Sequence, residues 1–336
     1  MTVRTIRNSL AMAAMLAAGA LLPASATARD EGKPGPIAVY GNIQTFEIAP
    51  VLLAAKTFYP DAATVKMGGI PNLVGEPIIA GFGEEGVADV ATHAETQALR
   101  YSVKHPNLRI ILQVTEGQYR IVARKSAGIA TVADLKGKRV ASIPQTSSGY
   151  FFHKMLAQAG LSYDDIEVVR TPGPLSEMTK ALAERRVDAV IIWEPESENS
   201  ARALGDDLIE FSGDGVYAEQ FNLNSTAENL ADPAKRKKIV RFVRAVIDAA
   251  AALRKDPAAA QALVVERGGH SVEEVQTAWK HHAFNADYPA DLLDIMTEEE
   301  QWLAERDKRP ARSRAQLARL IDRSVYEEAL ALEPTT

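Results

Sequence analysis

Thr146, Ser147 and Ser148 form a run of three hydroxyls, closed by Gly149, where an apolar strand pattern over residues 139–143 gives way to a helical pattern from about Tyr150. One hydroxyl at such a junction is a helix cap, and three exceed what one cap needs. The unpaired N–H groups of a helix start, with the positive end of its dipole, receive anionic or polar atoms. Ligands of open α/β sheets lie at the carboxyl ends of strands, where these residues fall. Capping and ligand contact both stand as explanations. Further along, the apolar stretch 187–192 delivers Trp193 and Glu194 to its carboxyl end, with Pro195 placed to begin a helix. Trp193 is either core or a flat wall for a ligand.

Other patterns carry less. Gly81-Phe82-Gly83-Glu84-Glu85-Gly86 spells a dinucleotide-binding glycine pattern, but a helical pattern precedes it and a strand pattern follows, the reverse of what that chemistry needs. It reads as a glycine-rich turn. The six histidines (His93, His105, His153, His270, His281, His282) include no pair four apart on a helix, and His281 and His282 are adjacent, so they point apart. No cysteine exists to ligate metal or attack a substrate, and no serine sits in a Gly-x-Ser-x-Gly elbow. The expectation is a protein without catalytic residues, metal or cofactor. A net charge of −6 argues against a nucleic-acid partner.

The elements that position these residues follow from periodicity. Strand patterns fall at 37–40, 63–67, 87–91, 109–114, 119–124, 139–143, 166–169, 187–193 and 208–211, separated by helical patterns at 49–57, 95–103, 151–159, 175–184 and 196–204. Such alternation implies parallel sheets built from βαβ units. After about residue 226 the pattern is nearly all helical, at 232–255, 257–266, 271–283, 290–306 and 313–332. Ile239, Val243, Val246, Ile247 and Ala250 share one helix face. With no sheet of its own, this region must bury its stripes against the N-terminal sheet. Thr131 and Asp134 have the spacing of a capping box. At the other end, Arg4 and Arg7, an apolar run from Leu10 to Leu22, and the small residues Ala24 to Ala28 read as a secretory signal peptide over 1–28, cut after Ala26 or Ala28. A chain of this length is expected to split into two lobes.

The segments DLKGKRVASIPQTSSGYFFHKMLAQAGLSYDDIEVV and ALAERRVDAVIIWEP, in this order behind a signal peptide, resemble the nitrate/sulfonate/taurine-type substrate-binding proteins of ABC importers, a superfamily that includes binders of pyrimidine thiamine precursors. The likeness spans roughly residues 36–300. It implies an α/β, two-lobed periplasmic-binding-protein fold (type II), each lobe a mostly parallel sheet flanked by helices, with two crossing strands as hinge near residues 119–124 and 208–212. Lobe one would comprise 36–119 and 213–336, and lobe two 120–212. Ligand contacts carried over are Asn42, Gln44, Thr45, Thr92, His93 and Glu95 from lobe one, and Thr146, Ser147, Ser148, Gly149, Trp193 and Glu194 from lobe two. His93 and Glu95 depart from the small residues usual there and are either ligand-specific or a surface pair. Asn222 and Asn224 are outlying candidates.

The resemblance further implies a periplasmic monomer that takes a small-molecule ligand and delivers it to ABC permease and ATPase subunits. Hydroxyls at a helix start favour a small organic anion such as a sulfonate, whereas Glu95 and Glu194 disfavour a bare anion unless they hold an amine, a water or an arginine. The alternatives are a pyrimidine-like thiamine precursor, a periplasmic enzyme on the same scaffold, or a sensory protein.

Overall fold

Strand-forming runs of the first third pair side by side. In the computed structural model, which describes residue 1, residues 33–78 and residues 83–335, β1 (Ile37–Gly41) lies between β2 (Ala63–Met67) and β3 (Val90–Ala94), parallel to both. The signal-peptide stretch and the first two residues of the glycine pattern, Gly81 and Phe82, lie outside the described residues. β4 (Leu108–Gln118), β10 (Ala218–Thr226) and β11 (His282–Ala283) extend this sheet in the order β11-β4-β10-β3-β1-β2. A second sheet has the order β7-β6-β8-β5-β9, built from β5 (Arg120–Arg124), β6 (Arg139–Ala141), β7 (Glu167–Val169), β8 (Ala189–Val190) and β9 (Leu208–Ser212).

The chain passes between the sheets twice, from β4 into β5 at Tyr119 and from β9 into β10 across residues 213–217. Gly213 N–H donates to Tyr119 O at 2.9 Å, tying the passages together. A Cβ on Gly213 would lie 2.5 Å from Phe151 and 2.8 Å from Tyr119 O, so only glycine permits this approach. The two-lobed α/β architecture is present, but the sheets are mixed rather than mostly parallel. β10 runs antiparallel to β3 and β4, and β5 antiparallel to β8 and β9. The cause is geometric: β5 and β10 enter their sheets from the passages, at the end where the βαβ strands leave, and so run against them. β8 is shorter than the apolar run that predicts it, although backbone bonds to β6 continue from Asp188 N (2.7 Å to Arg139 O) to Ile191 N (3.0 Å to Ala141 O).

The C-terminal helices do pack on the first sheet. Helix Pro233–Lys255 starts at Asp232, whose carboxylate accepts Ala234 N–H (2.8 Å) and Lys235 N–H (3.1 Å). Its buried face (Ile239, Phe242, Val243, Val246, Ala250) joins Val39, Leu112 and Leu223 in one apolar cluster. The capping box forms as read, with Thr131 N–H and Oγ1 both donating to Asp134, at 2.8 and 2.9 Å. Near the C-terminus, buried Glu300 accepts from Arg309 (2.6 Å) and Arg312 (2.7 Å). Burial pushes its carboxyl up, but the two guanidinium groups outweigh this and hold it at about 2. The stabilisation is therefore complete above the ordinary carboxyl range of about 4.3 and is lost as pH falls towards 2. Arg312→Ala should show a smaller stability deficit at pH 2.5 than at pH 7 in urea unfolding; an equal deficit at both would assign Arg312 a packing role only.

Candidate functional site

Helix Ser147–Gln158 starts at Thr146, yet no side chain caps it. Thr146 Oγ1 instead donates to Ile143 O at 2.8 Å and lies 3.0 Å from Ser148 Oγ. Ser147 Oγ leaves its own sheet altogether. It donates to Glu219 on β10 at 3.2 Å and lies 2.9 Å from the hydroxyl of Tyr119, which also donates to Glu219. Gly149 has a backbone reason: a Cβ there would come within 2.6 Å of the Pro144 carbonyl carbon. Gln145 O accepts from Gln97 (3.0 Å) and Arg100 (3.2 Å), joining this loop to helix Glu95–Ser102 of the first sheet.

Trp193 is half-buried between the two apolar clusters of the second sheet, its indole nitrogen buried without a partner. Glu194, joined to Pro195 by a cis peptide, is 2% exposed and paired with Arg120. Its other oxygen accepts Glu198 N–H at 3.0 Å. Burial pushes this carboxyl up and Arg120 partly restores it. Arg120 also holds Glu198 (3.0 Å) and Glu210 (2.6 Å), so one guanidinium serves three carboxylates. His281 Nε2 stands 4.0 Å from Glu194; burial and then Arg120 push its pKa down to about 3, leaving it neutral.

On the first sheet, Asn42, Gln44 and Thr45 are bound to one another: Asn42 Oδ1 accepts Gln44 N–H at 3.0 Å, and Thr45 Oγ1 donates to Asn42 O at 3.3 Å. The turn they make presents Glu47, 3% exposed, with one carboxylate oxygen 3.6 Å from His282 Nε2 and the other without a partner. Thr92 is fully buried and its hydroxyl has no partner. His93 and Glu95 are not a surface pair. His93 Nδ1 accepts Ile70 N–H at 3.2 Å and its ring stacks on Tyr101; burial and then Arg100 push its pKa down to about 4. Glu95, with no exposure, accepts from Tyr217 (2.5 Å) and Gln220 N–H (3.0 Å), and burial pushes its pKa up to about 7. They diverge because β3 ends at Ala94 and Glu95 already opens helix Glu95–Ser102, which breaks the two-residue period that would put them on one face. Asn222 and Asn224 donate to Gln220 O (2.8 Å) and Asn222 O (3.1 Å), while their Oδ1 atoms are buried and unpartnered.

Both tips of the second sheet thus face the first: Ser147 meets Glu219, and Glu194 approaches His281. Tyr119, Arg120, Glu219 and His281, which meet them, and the adjoining Glu47 and His282 were not among the sequence candidates for contact. Only the adjacency of His281 and His282 carried a signal, and helical geometry argues against that pair where the chain in fact turns extended at His282. Among the described residues, no group of three or more His, Asp and Glu side chains has a metal-holding arrangement, and no helix is long and apolar enough to cross a membrane. A surface recess of about 510 Å³ beside Tyr150 and Trp302 is bordered by an existing ion pair, Lys154 with Glu298 at 2.9 Å.

Two mixed sheets, two passages between them and strand tips converging from one sheet onto the other define the periplasmic-binding-protein class of fold. The alkanesulfonate-binding protein SsuA of Xanthomonas axonopodis pv. citri, bound to MOPS, superposes with a TM-score of 0.67 at 18% identity, covering 87% of this chain and all of that one. The periplasmic nitrate-binding protein NrtA of Synechocystis PCC 6803 gives 0.65 at 14% identity over 89% of each chain. The fold is shared with an enzyme too: the desulfurization protein DszB in complex with biphenyl-2-sulfinic acid gives 0.61 at 14% identity, over 88% of this chain and 99% of that one.

The NMT1/THI5-like family model matches residues 81–260, more than half of the chain, and the protein belongs to that family. A candidate binding protein of Brucella abortus is 34% identical over 77 residues, a match spanning only 23% of that relative's length and 23% of this chain.

Proposed function

We propose that this protein is the extracytoplasmic solute-binding component of an ABC importer, a periplasmic monomer that captures a small organic solute between two lobes, 36–119 with 213–336 and 120–212. The observation that carries this is the pair of passages at Tyr119 and Gly213, bonded to each other, beside which Ser147 meets Glu219 of β10 and Glu194 approaches His281, just ahead of β11. Each lobe offers half a site, so a solute touching both favours the closed form and shifts the population towards it. The closed shape is then what permease and ATPase subunits recognise. No bond need break. The chain has no cysteine thiol, and Ser147 is hydrogen-bonded to Tyr119 and Glu219, with no histidine or lysine bonded to it among the described residues. This supports binding over catalysis despite the fold's use by a desulfurization enzyme.

An organosulfonate or similar anion is a second reading of the solute. The uncapped start of helix Ser147–Gln158 favours it, and the sulfonate and nitrate binders share the fold. A thermal-shift screen of sulfonates, carboxylates, nitrate, pyrimidines and amines tests the function. One class should raise stability by about 2.7 kcal/mol at a hundred times its dissociation constant, and small-angle scattering should record a smaller radius of gyration in its presence. Stabilisation without compaction would remove the hinge-closure mechanism, and silence across the whole panel would remove the solute-binding role.

A further inference from the structure

Gly117 on β4 is flanked in register by Glu219 on β10 and His282 on β11. Directly paired residues place their side chains on one face of a sheet, so the glycine leaves a gap between a carboxyl group and an imidazole. Glu47, from the turn after β1, enters that gap. A Cβ built on Gly117 would lie 3.7 Å from Glu47 Oε1 and 3.9 Å from Glu219 Oε2, so the two carboxyl groups border one small space. Both residues are about 95% buried or more, and Glu47 Oε2 has no partner of any kind. His282 Nε2 stands 3.6 Å from Glu47 Oε1, beyond hydrogen-bond length, and its Nδ1 is buried and unpartnered. The neighbouring guanidinium, Arg120, is already committed to Glu194, Glu198 and Glu210.

A buried carboxylate oxygen without a donor is costly, and Glu47 borders Gly117 together with Glu219, which the second sheet's tip touches through Ser147. We propose that the solute carries a protonated nitrogen with several N–H donors, a primary ammonium or an amidinium, seated over Gly117 between Glu47 and Glu219. This rests on the solute-binding reading and narrows it. The donors would satisfy Glu47, whose Oε2 has none, and reach Glu219 beside Tyr119 and Ser147, and the unpartnered ring nitrogen of His282 would serve as an acceptor close by. An anionic group, if the solute has one, would then lie away from this point, towards the free N–H groups at the start of helix Ser147–Gln158.

Four probes on one carbon skeleton separate the possibilities: propylamine, propanol, propanesulfonate and 3-aminopropanesulfonate, each titrated calorimetrically into the full-length mature chain. The amine-bearing probes should bind at least tenfold more tightly than their amine-free counterparts. Glu47→Gln, which keeps shape and removes charge, should weaken the amine-bearing probes at least tenfold. Gly117→Ala places a methyl group where the nitrogen approaches, with only ordinary contacts around it, and should abolish amine binding while the unliganded melting temperature stays within a few degrees. Equal affinity for propanesulfonate and 3-aminopropanesulfonate, or unchanged amine affinity in both variants, would overturn the inference while leaving solute binding intact. If neither these probes nor the wider panel bind, the solute-binding reading fails and this inference fails with it.

Discussion

Arg120→Ala is expected to destabilise the protein by about 3–5 kcal/mol, the usual cost of leaving a buried ion pair half-made. Arg120 is 6% exposed on β5, and its three nitrogens engage Glu194 at the exit of β8, Glu198 in the following helix and Glu210 on β9. Removing it leaves the 2%-exposed Glu194 without its cation. Burial already pushes that carboxyl up, and Arg120 is the chief opposing influence, so the variant's Glu194 should rise further. A raised carboxyl pKa favours the fold below the unfolded value of about 4.3 and loses that advantage as pH rises through the folded value. The deficit in urea unfolding should therefore be larger at pH 8 than at pH 5. Adding Glu194→Gln should recover part of it, because the penalty belongs to the unpaired charge. Arg120→Lys should recover less than full stability, since an ammonium cannot reproduce the planar fork. A single-variant loss below about 1 kcal/mol at pH 8 would mean that water reaches Glu194 and that the tip is less closed than its burial implies.

What the sequence disclosed, and what it withheld, divides along the range of the forces involved. Local signals were faithful. The capping box at Thr131 and the helix Glu196–Leu204 stand where spacing and periodicity place them. These depend on hydrogen bonds spanning a few residues. β10 was not foreseen as a strand. Its Gln220, Asn222 and Asn224 alternate with Phe221 and Leu223, which resembles a polar connection, yet all five are buried. The amides survive burial because they bond to the strand's own carbonyls and to Ala91 O at 3.1 Å, a solution visible only once β3 and β4 flank the strand.

The site divides in the same way. Ser147 and Glu194, which the structure brings towards the first sheet, are candidates in the sequence because strand exits before helices mark themselves there. Glu47, Glu219 and His282 were not, because what unites them is the register that sets Gly117 beside both Glu219 and His282. Pairings of such sequence separation leave no local period to read. For Glu95 and Glu194 the sequence left open whether a ligand or the protein holds the charge. Arg120 answers for Glu194, and Tyr217 with Gln220 answers for Glu95.

Glu299→Gln is expected to stabilise the protein at pH 8 and to change little at pH 5. Glu299, on helix Leu292–Arg306, has no exposure, and its carboxyl group meets the Glu95 carboxyl and the Tyr217 hydroxyl. Burial, and then the charge of Glu95, raise its pKa well above the ordinary range. Glu95 itself is raised to about 7, and the two titrate as a pair. The groups facing them are the Tyr217 hydroxyl from the second passage, the Gln220 N–H and the raised Glu219 from β10, and Tyr150 from helix Ser147–Gln158. None of these supplies a positive charge. The fold thus prefers the protonated pair, an advantage complete below about pH 4.3 and lost as pH rises through 7. A displacement from about 4.3 to 7 is worth on the order of 3 kcal/mol, so the wild-type melting temperature should fall by roughly 5 °C or more between pH 5 and pH 8. Glutamine keeps the volume and a donor while removing the proton requirement, which should flatten that decline. A wild-type melting temperature that rises over the same interval would show the pair to be ionised and solvated, and the Tyr217 contact beside the passage between the sheets would then be a charged latch rather than a neutral one.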